Sequence, residues 1–215
     1  MAPDLPPDCP ICEARTAPLI AVGGVSYFAC NRCEARCMAP AARPTVEEEA
    51  AQYGFHQNEI GDPRYRGFLS RLADPLLAVL PPAQSGLDFG CGPGPALAAM
   101  MREAGHRMAV WDPIFAPDRT VLDARYDFIT CTETAEHFHA PRAEFARMEG
   151  LLNPRGLLAV MTSFAPTDDR FEGWHYRKDP THVVFYRPAT FRWIAGQHGM
   201  TCAIPCPNVV FLRAP

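Results

Sequence analysis

From Ser85 onward, short apolar runs alternate with stretches whose apolar residues recur every three or four positions. The runs Gly86 to Phe89, Met108 to Trp111, Phe128 to Cys131 and Leu157 to Thr162 predict strands. Leu97, Met100, Met101 and Ala104, closed by Gly105, predict a helix. So do Phe145, Met148, Leu151 and Leu152 after Pro141, and Phe191, Ile194 and Ala195 between Pro188 and Gly199. Such alternation predicts a parallel sheet covered by helices on both faces. The chain then closes on two short strands, Thr201 to Ile204 and Val209 to Leu212, turning at Pro207 and Asn208. Upstream, Tyr65, Phe68, Leu69 and Leu72 form one face of a helix that Pro75 should interrupt before Leu76, Leu77 and Leu80 continue it. Residues 41–84 thus read as a helical linker and cap, entered through Glu47, Glu48 and Glu49.

Residues 1–40 follow a different pattern. Leu19 to Val22 and Val25 to Ala29 flank Gly23 and Gly24, a hairpin with a tight glycine turn. Around it stand Cys9 and Cys12, then Cys30 and Cys33, two C-x2-C pairs seventeen residues apart. That spacing is the one two metal-binding turns require, and it predicts a small zinc ribbon. A hairpin of this size buries too little surface to fold alone, so metal binding would supply the missing free energy. Five of the nine cysteines precede residue 38, and Cys37 is left as a spare.

Composition narrows the partners. The chain has 215 residues, a net charge of −4 and 48% hydrophobic residues, as expected of a globular domain with one appendage. No run of Lys and Arg offers a basic patch, and the pI near 6.0 disfavours nucleic acid without excluding it. No basic stretch followed by an apolar one opens the chain, and no apolar run reaches membrane-spanning length, so a cytoplasmic protein without a membrane partner is expected.

The candidate chemistry begins at LDFGCGPGPAL, a strand running into a glycine loop that opens a helix. Gly90, Gly92 and Gly94 let backbone approach a ligand at the C-terminal edge of the sheet. Pro95 stands where a dinucleotide fingerprint wants Gly or Ala, which disfavours a dehydrogenase. Asp112 ends the next strand, where a carboxylate can accept from two ribose hydroxyls.

LDFGCGPG resembles motif I of the class I S-adenosylmethionine-dependent methyltransferases, written D/E-x-G-x-G-x-G. The resemblance implies a Rossmann-like seven-stranded sheet over residues 85–215 and assigns Asp88, Gly90, Cys91, Gly92, Gly94 and Asp112 to the cofactor. YDFITCTETAEHF resembles the fourth strand and its loop, with Thr132 and Glu133 beside the cofactor and Glu136 and His137 on the substrate side. GLLAVMTSF resembles the fifth strand, and the terminal strand pair resembles the family's reversed closing hairpin. One departure stands out: thirteen residues separate Asp112 from Tyr126, too few for the usual helix and third strand. Asp118 and Asp123 lie in that stretch, and neither matches the family's adenine-binding acid.

The segment WHYRKDPTHVVFY follows the fifth strand and carries His175, Asp179 and His182 among aromatics. It reads either as a substrate-side flap with His182 as general base, or as a packed loop in which His182 bonds Asp179. A metal held by His175, Asp179 and His182 is a rarer reading. His182 and His137 are thus the candidate catalytic bases for transfer of a methyl group. A small metabolite or glycan precursor is favoured as acceptor. The alternatives are an RNA methyltransferase that uses the ribbon for recognition, and a noncatalytic cofactor sensor that docks a partner through it.

Overall fold

A computed structural model describes residues 5–54 and 59–215; residues 1–4 of the expected ribbon and 55–58 of the expected cap lie outside it. Two sheets organise the chain. The first strands, β1 (Ala17–Val22) and β2 (Val25–Ala29), form the hairpin, with Gly23 and Gly24 at φ +60° and +84° as the tight turn needs. A third strand, β3 (Arg36–Met38), pairs with β2. Thr45 then caps α1 (Val46–Tyr53) in a capping box with Glu48, the role its acidic opening fills.

Helix α2 (Pro63–Leu77) continues through Pro75 without a break, contrary to the interruption expected there. Pro75 has no N–H for the carbonyl of Arg71, and the Cys206 thiol, 3.5 Å away, donates to that oxygen instead. Leu69, Leu72, Ala73 and Leu76 are buried on the face the periodicity marks.

The second sheet contains β4 (Ser85–Phe89), β5 (Arg107–Trp111), β6 (Tyr126–Thr132), β7 (Leu152–Met161), β9 (Thr201–Cys206) and β10 (Val209–Arg213), in the order β5-β4-β6-β7-β10-β9. The first four are parallel, and β10 runs antiparallel to both β7 and β9. Among the described residues this sheet has six strands rather than the expected seven. The strand beyond β5 is the one absent. A parallel strand there needs a crossover of a dozen or more residues to reach it and a further connection back to β6, and the thirteen available form only a turn closed by Asp112 and Ala116, then a short 3-10 turn at Arg119–Asp123.

Side-chain alternation splits the core. Leu157, Ala159 and Met161 of β7 face α2 and α3 (Ala96–Glu103), while Leu158 and Val160 face α4 (Pro141–Gly150) and α6 (Pro188–Gln197). The N-terminal module packs into this second layer: Tyr27, Phe28 and Met38 share one core with Phe145, Phe171, Phe185 and Phe191. Between β7 and α6, the segment following the short helix α5 (Asp168–Phe171) adds β8 (Val184–Phe185) to the free edge of β3. Arg36 bonds Asp168 through Nε and Nη2 at 2.9 and 2.7 Å, so the ribbon sheet and the flap are tied by backbone and by charge. No helix among the described residues is long and apolar enough to cross a membrane.

Candidate active site

Strand order reverses beside β4, since β5 lies on one side and β6 on the other, and open α/β sheets bind ligands in the crevice this leaves. A cavity of about 870 Å³ opens there. Its floor is the glycine loop. Gly90 and Cys91 donate backbone N–H to the Trp111 carbonyl at 2.8 and 3.2 Å, which folds the loop over the end of β5. Gly90 sits at φ +77°, and a Cβ there would fall 2.2 Å from Thr134 Cγ2, so only glycine fits.

Asp112 braces this loop. Its Oδ2 accepts from the Gly92 N–H at 3.0 Å, and its Oδ1 from the Ile114 and Phe115 amides at 2.9 and 3.0 Å. Three of about four acceptor positions on the carboxylate are therefore used, leaving one on Oδ2.

Gly90, Cys91, Gly92, Asp112, Thr132, Glu133, His137 and His182 all line the cavity. Asp88 and Gly94 do not; they border a recess of about 20 Å³ behind the loop. Asp88 is buried and accepts from Thr130 Oγ1 at 2.7 Å, and burial pushes its carboxyl up to about 6. Burial likewise pushes the Cys91 thiol up to about 12.

The opposite wall is built from turns after β6 and β7. Glu133, at φ +48°, follows β6, and Glu136 and His137 lie in the 3-10 turn Ala135–His137. Glu136 is fully buried; it accepts from Thr162 Oγ1 at 2.8 Å and from the Tyr176 hydroxyl. That hydroxyl also lies 3.1 Å from Glu133 Oε2. One phenolic hydrogen cannot serve two carboxylates. Burial, reinforced by the charge of Glu136, pushes Glu133 up to about 8, so Glu133 carries a proton at neutral pH. His182 Nε2 stands 3.9 Å from Asp179 Oδ2 and 4.0 Å from Glu136 Oε1, while Asp179 Oδ1 is taken by Thr181. Burial lowers the His137 pKa and keeps that ring neutral.

Several lining residues carried no functional signal in sequence. Tyr53 of α1 sets its ring edge-on to His137 at 5.2 Å, and Tyr65 and Phe68 of α2 line the cavity from the face read only as helix packing. Tyr176 was legible as one aromatic among many in the flap, but not as the donor between two acids.

The four cysteines of the ribbon converge away from this cavity. Cys9 and Cys33 sulfurs are 3.5 Å apart, Cys12 and Cys30 are 3.4 Å apart, and all four lie within 4.8 Å of one another. Tetrahedral zinc with bonds of about 2.3 Å spaces its sulfurs about 3.8 Å apart, so the cluster fits it. Cys37, though buried nearby, is not part of the cluster.

Reversed closing strands, a glycine loop at the switch point and an acid at the end of the neighbouring strand define the class I S-adenosylmethionine-dependent methyltransferase fold. The chain belongs to the methyltransferase-domain family, whose model matches residues 59–203. Solved structures of the same fold include three at low identity. The 1,6-didemethyltoxoflavin-N1-methyltransferase of Burkholderia thailandensis, with bound 1,6-didemethyltoxoflavin and S-adenosylhomocysteine, is 18% identical at a TM-score of 0.53, covering 92% of this chain and 98% of that one. The magnesium protoporphyrin IX methyltransferase of Synechocystis PCC 6803, with bound S-adenosylmethionine, is 16% identical at 0.50 over 80% and 92%. An O-methyltransferase family 2 protein of Planctomyces limnophilus, in complex with apigenin, is 14% identical at 0.52 over 71% and 60%. No curated protein matches the sequence.

Proposed function

We propose that this chain transfers the methyl group of S-adenosylmethionine to a small acceptor, with the cofactor at the glycine-loop end of the cavity and the acceptor beside Glu136, His137 and His182. The observation that carries this reading is the single cavity bordered by both sets of residues. The bound relatives named above support the choice of cofactor.

The residues present fit such a cofactor. Thr132 Oγ1 and Trp111 Nε1 are buried without a hydrogen-bond partner, and both residues line the cavity. A polar ligand at the loop would satisfy both. When bound, S-adenosylmethionine supplies an electrophilic methyl on a sulfonium. The chain's part is then alignment and exclusion of water. Asp112 fixes the loop and offers its remaining acceptor position to a ribose hydroxyl. His182 and His137 present ring nitrogens to the acceptor end, where one can take the proton of an attacking hydroxyl or amine.

The size and charge of the cavity favour a small acceptor. Its volume lies within the usual range for small-molecule pockets. Six acids line it, Glu49, Asp112, Glu133, Glu136, Glu144 and Asp179; with Glu133 protonated, the other five stand against two arginines, Arg119 and Arg147. That balance opposes phosphate-bearing acceptors, and RNA with them. The four cysteines would hold a structural zinc, since a complete set of thiolates leaves no position for catalysis.

The test is release of S-adenosylhomocysteine with panels of uncharged or cationic metabolites and glycan precursors. His182→Ala should leave S-adenosylhomocysteine affinity nearly intact and slow methyl transfer by about 10² to 10⁴. Failure to bind S-adenosylhomocysteine at all would refute the reading.

A further inference from the structure

Three side chains on the acceptor wall meet in the manner of a metal site. Glu136, His137 and His182 each bring one donor atom, and the three atoms lie within 4.8 Å of one another. Both imidazoles are already oriented. His137 Nδ1 lies 3.0 Å from the Thr181 carbonyl oxygen, and His182 Nδ1 lies 2.7 Å from that of Tyr176. A carbonyl can only accept, so each Nδ1 carries the hydrogen and each Nε2 presents a lone pair. The two Nε2 atoms stand 4.0 Å from the same oxygen, Glu136 Oε1. Metal-binding histidines are held in this way, with the distal N–H spent on a backbone carbonyl or carboxylate, and ligating carboxylates are themselves hydrogen-bonded, as Glu136 is by Thr162 and Tyr176.

We propose that Glu136, His137 and His182 bind a divalent transition-metal ion of the zinc or iron class at the acceptor end of the cavity. Two imidazoles and one carboxylate suit those ions, whereas magnesium and calcium favour all-oxygen sets. Ligands on an ion with bonds of about 2.1 Å stand about 3 to 3.4 Å apart, so each histidine must close on Glu136 by roughly 0.6 to 1 Å. Three protein ligands leave positions open toward the cavity for water or for an oxygen of the acceptor. Asp179 Oδ2, 3.9 Å from His182 Nε2, stands as a further oxygen at that opening. The inference rests on the proposed methyl transfer, narrows it to hydroxyl-bearing acceptors, and moves the two imidazoles from taking the acceptor's proton to holding the ion, because their Nε2 lone pairs are spent on the metal. A hydroxyl coordinated there gives up its proton to water more readily, and the freed oxygen pair forms the bond to the methyl as the methyl–sulfur bond breaks.

The probe is Co²⁺, titrated into the full chain after its four cysteines have been loaded with zinc. One further equivalent should bind, with the weak visible bands of nitrogen and oxygen coordination and no thiolate charge transfer. Acetohydroxamate, a chelating oxygen donor, should shift those bands if the ion has open positions. His137→Ala and His182→Ala should each weaken cobalt binding by more than about 100-fold while zinc content and cooperative unfolding persist. Glu136→Gln should do the same, and because that site is fully buried the histidine variants decide if it does not fold. The proposal is overturned if the folded protein takes no second equivalent, if only thiolate bands appear, or if both histidine variants retain the second ion. Metal binding is read without turnover, so its failure leaves the methyl-transfer reading standing. Cobalt bound in a protein with no affinity for S-adenosylhomocysteine would sink that reading and keep the metal site.

Discussion

Asp112→Asn is the sharpest test of how the glycine loop is held. The carboxylate accepts three backbone amides, one from Gly92 and two from the turn at Ile114 and Phe115. Asparagine offers one acceptor atom in place of two. With its oxygen toward Ile114 and Phe115, its NH2 group faces the Gly92 N–H, donor against donor; flipped, it abandons the other two amides. The first arrangement costs less, and it still forfeits a hydrogen bond to a charged group, worth about 1.5 to 3 kcal/mol. Because that bond holds the loop in its binding conformation, S-adenosylhomocysteine should bind about 10- to 100-fold more weakly. Calorimetry on the wild type, Asp112→Asn and Asp112→Ala measures this, with thermal unfolding alongside. Wild-type affinity and melting temperature in Asp112→Asn would refute the reasoning. The one acceptor position left on Oδ2 also limits what Asp112 can do for the ribose. In double-mutant cycles with 2′-deoxy and 3′-deoxy cofactor analogues, coupling of about 1 kcal/mol or more should appear with one hydroxyl and not both.

Gly90→Ala forces a Cβ to within 2.2 Å of Thr134 at positive φ and should destabilise the fold by about 2 kcal/mol or more, whereas Gly67→Ala, exposed in α2 with open space around it, should stabilise by about 0.5 to 1 kcal/mol; urea unfolding reads both. Asp88 titrates near 6 in the folded chain against an ordinary 3.8, so the native state binds the extra proton and this residue's contribution to stability falls as pH rises from about 4 to 6. Relative to Asp88→Asn, the wild type should lose about 3 kcal/mol across that window; a difference between the two proteins that does not change with pH would refute the burial argument. The four cysteines should account for one zinc per chain by elemental analysis, the equivalent that Cys12→Ser should lose. Because the ribbon shares its core with the catalytic layers, that loss should also lower the melting temperature of the whole chain by about 5 to 10 °C, and an unchanged melting temperature would show the two parts to be independent.

Most of this architecture was legible because it obeys local rules. Gly23 and Gly24 announced the hairpin, and the alternation from Ser85 announced the parallel sheet. The glycine loop was visible because Gly90 and Gly92 stand at φ +77° and +62°, which glycine adopts without strain. What was hidden depends on distant partners. Val183 to Tyr186 is buried on every side, so it has no periodicity to mark a two-residue strand, and its pairing with β3 spans about two thirds of the chain. Pro75 reads as a break until Cys206 is seen to occupy the freed carbonyl. The missing strand was foreshadowed by the thirteen-residue interval, yet family expectation outweighed that arithmetic. Tyr176 could not be singled out, since its importance lies in standing between two acids that approach it from the turn after β6.

The pairing of β3 with β8 bears on where this chain can be cut. Residues 59–203 match the family, and an expression fragment drawn to that boundary would look complete. It would leave Val184 and Phe185 as a bare strand edge, expose Asp168 without Arg36, and remove β10 from between β7 and β9. His182 lies two residues before that bare edge, on a loop whose far side is held by Met38 donating to the Val183 carbonyl. During synthesis the N-terminal ribbon would therefore emerge with its outer strand unpaired and wait for nearly 150 more residues before its neighbour arrived (Cys37 pairs with Val184). With the zinc proposed for its cysteines, the ribbon would persist through that wait and offer β3 as the edge onto which β8, and with it the loop carrying His182, folds.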